Sequence, residues 1–92
     1  MRWKTCENIR SNFGGDGVLL VDAQDNFCFA LDALGAQLWV AIESSPKGLT
    51  FEDILDVLEK HFSLPKHKLA NRARGHLQEL HAVGLIEIRR ES

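Results

Sequence analysis

No stretch of this chain approaches the roughly 20 apolar residues that cross a bilayer, and Met1-Arg2-Trp3-Lys4-Thr5-Cys6 lacks the apolar segment of a secretory signal. A soluble, cytoplasmic protein is expected. Cysteine is scarce as well: Cys6 and Cys28 cannot make a disulfide framework, so two free thiols are expected. Cys28, between two phenylalanines, reads as a small, inert hydrophobe. His61, His67, His76 and His81 lie six, nine and five residues apart, so no pair falls at the i, i+4 spacing of a helical zinc site. Surface histidines and no metal are expected. Phe13-Gly14-Gly15-Asp16-Gly17 lacks the lysine and the following helix of a phosphate-binding loop. With no acid, base, nucleophile, metal or cofactor candidate, the expected class is a non-catalytic binding module without cofactors.

At 92 residues and 45% hydrophobic composition, the chain has apolar surface for one core and no room for a second domain or an interdomain cleft. One domain over 1–92 is expected, with its centre at about 17–88. Val18, Leu20 and Asp22 alternate with Leu19 and Val21, and after the turn Asp22-Ala23-Gln24-Asp25-Asn26 the alternation resumes as Phe27, Phe29, Leu31 against Cys28 and Ala30. This is a β-hairpin. Phe27 and Phe29 share a face and are expected in the core, whereas Cys28 and Ala30 point the other way. The segment from Trp3 to Phe13, anchored by Cys6, Ile9 and Phe13, is expected to supply the first strand.

From Asp32 the period changes to about 3.6. Asp32 is placed as N-cap, and Leu34, Leu38 and Ile42, with Trp39 beside them, form a buried stripe. A second helix opens at Thr50, whose pairing with Asp53 resembles a capping box, with Leu49 placed to staple onto Ile54. Phe51, Ile54, Leu55, Leu58 and Phe62 are its inward residues. Ser63-Leu64-Pro65 ends it, and Pro65 fits the first turn of a third helix. There Leu69, Ala73, Leu77 and Leu80 face inward, Arg72 and His76 lie on one flank, and Ala70, Arg74 and His81 on the other. Gly84 suits the helix end, and Leu85 to Ile88 can close the domain as a short strand.

The formal net charge is −2, unevenly spread: residues 1–62 carry five basic and ten acidic side chains, residues 63–92 six and three. Two helices, a basic third bearing Lys66, Lys68, Arg72 and Arg74, and a terminal strand also suit a winged helix-turn-helix that binds DNA. Phosphate binding needs a surface of one sign. Glu52, Asp53, Asp56 and Glu59 make the preceding helix acidic, which argues against nucleic acid and leaves DNA binding as the rival reading.

Leu19-Leu20-Val21-Asp22, Phe27 to Leu31, Asp32-Ala33-Leu34-Gly35-Ala36-Gln37-Leu38-Trp39, Leu49-Thr50, and Leu77-Gln78-Glu79-Leu80-His81-Ala82-Val83-Gly84-Leu85-Ile86, in this order and spacing, resemble the PqqD family. That family is the recognition element for leader peptides of ribosomally made, post-translationally modified peptides. The resemblance implies an α+β, winged-helix-like fold, a three-stranded antiparallel sheet followed by three helices. It implies a peptide chaperone that presents a precursor peptide to a modifying enzyme, such as a radical SAM protein in pyrroloquinoline quinone biosynthesis or a leader peptidase in lasso-peptide pathways. The leader would add a strand antiparallel to Asn26, Phe27, Cys28, Phe29, Ala30 and Leu31, in a groove walled by Leu69, Arg72, Ala73, His76 and Leu77. Arg72-Ala73 and His76 depart from residue types frequent in the family. They imply a leader with acidic residues near Arg72, a merely solvated Arg72 being the alternative. A monomer is expected in dilute solution, and the edge strand also permits a strand-exchanged dimer at high concentration.

Overall fold

The computed structural model describes residues 1–15, 17–24 and 27–90. Strands β1 (Arg2–Thr5), β2 (Ile9–Gly14), β3 (Gly17–Asp22) and β4 (Phe27–Leu31) come first. Helices α1 (Ala33–Glu43), α2 (Phe51–His61) and α3 (Lys66–Ala82) follow, and β5 (Ile86–Arg89) closes the chain. β2, β3 and β4 form a three-stranded antiparallel sheet in that order, so the α+β architecture with a three-stranded sheet followed by three helices holds. Alternation sets its register: Val18 pairs with Leu31 and Leu20 with Phe29, which puts Val18, Leu20 and Leu31 on the face that the helices bury. Of the turn after β3, Asp25 and Asn26 lie outside the described residues; at its start Asp22 Oδ1 accepts from the Gln24 N–H at 3.0 Å.

The N-terminal segment departs from the single strand expected over Trp3 to Phe13. A turn at Glu7-Asn8, with Asn8 at φ 68°, divides it into β1 and β2, a conformation that asparagine tolerates better than most residues. β1 leaves the first sheet and pairs antiparallel with β5, Trp3 opposite Ile88 and Thr5 opposite Ile86. Trp3 also exchanges backbone hydrogen bonds of 2.8 and 2.9 Å with Leu49, which ties this ribbon to the α1–α2 connection. No local pattern could announce such pairing between the two ends of the chain.

The helix boundaries follow from capping. Asp32 Oδ1 accepts from the Gly35 N–H at 2.8 Å, and at α2 Thr50 and Asp53 form a reciprocal capping box, with contacts of 3.2 and 3.3 Å. Pro65 is the N-cap of α3, one residue before the first turn expected for it. At the other end Gly84, at φ 80°, lets the Gly84 and Leu85 N–H groups reach back to His81 and Leu80 at 3.1 and 2.9 Å, a Schellman termination. Trp39 is fully buried, its indole N–H donating to Glu43 Oε2 at 3.1 Å, and Leu38, Ile42, Ile54, Leu58, Leu69 and Leu80 surround the same core. Phe51 and Phe62, expected deep in it, are only half-buried at its margin. Among the described residues no helix is long and apolar enough to cross a membrane.

Candidate functional site

β4 is an edge strand. β3 pairs with one side of it, and among the described residues no strand pairs with the other. Alternate residues of such a strand turn their N–H and C=O groups outward, where an extended chain can pair with them. The apolar face of β4 grades in burial: Leu31 is buried, Phe29 half-buried and Phe27 36% exposed. Phe27 therefore does not enter the core as expected. Phe27 stacks on Phe29 with ring centroids 6.3 Å apart. Cys28 and Ala30 lie exposed on the opposite face, so Cys28 is a solvent-facing thiol rather than one packed between aromatics. Cys6 is the more enclosed cysteine; burial, then the nearby Glu87 and Asp22 charges, push its thiol pKa up.

On α3, Leu69 and Ala73 are fully buried and Leu77 nearly so. These three belong to the core, and on one flank of them lie Arg72, exposed, and His76, half-buried. Both meet Asp32, the residue that directly follows β4. The Arg72 guanidinium donates to Asp32 Oδ2 and His76 Nε2 lies 3.3 Å from Oδ1. Gly35 permits this approach, since a Cβ there would stand 3.0 Å from Leu31 Cδ2 and 3.1 Å from His76 Cε1. Partial burial alone would raise the Asp32 pKa. The Gly35 N–H, the charges of His76 and Arg72 and the Arg72 hydrogen bond outweigh it, and hold the carboxyl below its ordinary value.

Arg72 is therefore not merely solvated: its charge has a carboxylate partner inside the chain. His76 likewise is half-buried rather than a surface histidine. Of the expected site residues, Phe27, Cys28, Phe29, Ala30 and Leu31 make up the edge strand, Leu69, Ala73 and Leu77 are buried on α3, and Arg72 and His76 reach Asp32, which directly follows Leu31. Asn26 lies outside the described residues. Asp32 was legible as a cap, but its bond to α3, forty residues on, has no local signal.

Two hollows lie away from this edge. One is lined by Trp3, Phe51, Arg74, Leu77, Gln78, His81 and Ile88, on the other flank of α3. The second lies between the β2–β3 turn and the α1 and α2 helices, beside Phe13, Gln37 and Phe62. Among the described residues no group of three or more His, Cys, Asp or Glu side chains is placed to hold a metal ion.

The family model of coenzyme PQQ synthesis protein D (PqqD) matches residues 17–86, and the chain belongs to the PqqD family. The structure of TbiB1 in complex with the TbiA(beta) leader peptide is similar over 96% of this chain and 99% of that one, with 25% sequence identity and a TM-score of 0.77. Lasso peptide synthetase B1 complexed with the leader peptide shares the fold over 96% of this chain and 100% of that one, with 12% identity and a TM-score of 0.76. No protein of curated function matches the sequence.

Proposed function

We propose that residues 1–92 act as one non-catalytic, leader-peptide-binding domain, which takes the leader of a ribosomally made precursor as an added strand on β4 and presents it to a modifying enzyme. The observation that carries this reading is the unpaired side of β4, with two phenylalanines emerging from the core beside it. Backbone pairing supplies affinity there, and the partly exposed Phe27 and Phe29, with the cluster at Asp32, supply selection of alternate side chains. TbiB1, similar over nearly the whole chain, is complexed with a leader peptide, which supports the same use of this fold. The partner is a modifying enzyme such as a radical SAM protein or a leader peptidase, and the site of action is the cytoplasm, where precursor peptides are made.

The charge pattern favours peptide over DNA. Arg72 is matched by Asp32, and Lys66 lies 3.9 Å from Glu59, so part of the basic character of α3 is neutralised within the molecule. Titration of isotope-labelled protein with the short peptide encoded beside its gene, followed by backbone amide shifts, tests the reading. Saturable shifts along Phe27 to Leu31 and at Arg72 and His76 are expected. Their absence at high peptide excess would sink it.

A further inference from the structure

The flank of α3 turned away from Asp32 carries an apolar hollow of about 280 Å³. Trp3 and Phe51 bring ring centroids to 6.2 Å of each other there, and Ile88 of β5, 39% exposed, stands among the lining side chains. The side chains lining it that can carry charge are Arg74 and His81, and none is acidic. Arg74 lies 5.0 Å over the Phe51 ring and donates to Asn71 Oδ1 at 3.5 Å. Unlike Arg72, it has no carboxylate partner among the described residues.

An open apolar hollow with an unmatched guanidinium in its wall selects an apolar side chain that has a carboxylate beside it. Its volume is at the lower end of small-molecule sites, which suits one anchoring side chain from a protein better than an enclosed cofactor. Its position also matters. Arg74, Gln78 and His81 are on the opposite flank of α3 from Arg72 and His76, so a protein seated here leaves the β4 edge open.

We propose that this hollow docks a partner protein through an aromatic or aliphatic anchor flanked by an Asp or Glu, and that this partner is the enzyme to which the bound peptide is presented. The partner's identity rests on the leader-binding reading; the chemistry of the hollow does not.

Phenylpropionate and phenylpropylamine, the same ring with opposite charges, probe that chemistry when titrated separately into isotope-labelled protein. Phenylpropionate should give saturable shifts confined to the neighbourhood of Arg74, Gln78, His81 and Ile88, and the amine should bind about fivefold more weakly, as for a solvent-exposed charge pair. Arg74→Ala should bring the two to equal affinity. No saturable response to phenylpropionate, or equal responses of the wild type to both probes, overturns the assignment.

The second arm uses the purified modifying enzyme encoded beside the precursor gene. Arg74→Glu and Ile88→Asp should each weaken its association about tenfold, the loss of one interface anchor, with leader affinity unchanged. Enzyme association indifferent to both substitutions overturns the docking role. If the leader leaves β4 unperturbed while phenylpropionate still fills the hollow, the leader-binding reading and the partner's identity fall, and the site itself stands.

Discussion

The two flanks of α3 use the same residue type in opposite ways. Arg72 is bound to Asp32 and shares that carboxylate with His76, whereas Arg74, two residues on and about 200° around the helix, stacks over Phe51 with no carboxylate to meet it among the described residues. One guanidinium is consumed in bracing α3 to the end of β4. The other remains available. Nothing in the helix itself makes this difference, since both residues flank the same buried stripe of Leu69, Ala73, Leu77 and Leu80. What the neighbouring elements bring decides it: a capping aspartate on one side, two aromatic rings on the other.

The largest effect should come from the stripe that both flanks share. Leu69→Ala removes a fully buried side chain and should cost about 2–5 kcal/mol in urea unfolding; a loss well under 1 kcal/mol would mean that α3 is not seated as described. Next, Asp32→Ala removes an N-cap and the partner of Arg72 and His76 together. Because Asp32 and Arg72 are about half exposed, solvent screening keeps the ionic share small, and a total of about 1–2 kcal/mol is expected, most of it from the cap. Asp32→Asn keeps a capping oxygen and should cost less; equal losses in the two variants would assign the effect to the ion pairs instead.

Acid should separate the flanks more sharply. The Asp32 pKa is lowered in the folded chain, so its contribution to stability is fully present above the ordinary value of 3.8 and is lost as pH falls through the lowered folded value. Wild-type protein should therefore lose stability relative to Asp32→Asn on acidification below about pH 4, while Arg74→Ala parallels the wild type; parallel curves for wild type and Asp32→Asn would contradict the cluster at Asp32. The smallest effect belongs to Arg74→Ala itself, about 0.5–1 kcal/mol for an exposed cation over a ring, measured as a shift in thermal midpoint. A much larger loss would make Arg74 a structural brace and remove the contrast.

The elements whose signals are local were readable from the chain. The β3–β4 alternation, the Asp32 and Thr50 caps, the α3 stripe and the Gly84 termination each depend on residues within a few positions of one another, and each stands where its pattern put it. Burial at the margins was less readable. Phe27, Phe51 and Phe62 carry the right residue type and periodicity for a core, yet their exposure depends on how far neighbouring elements extend over them. The candidate site was legible as a strand edge and a helix face with Leu69, Ala73 and Leu77 turned inward, but not in how Arg72 and His76 on its flank are held, because their partner Asp32 lies about forty residues away in the chain and meets them only in the folded molecule.

Short-range free energy fixed much of this protein in its sequence: where the helices begin and end, which strands alternate, and which stripe of α3 turns inward, since capping, turn chemistry and amphipathic period act between near neighbours. Tertiary structure alone decided the rest. It drew β1 out of the first sheet to pair with β5, set Asp32 against Arg72 and His76, and left Arg74 beside Phe51, because each of these contacts joins residues far apart in the chain that meet only after the core has closed.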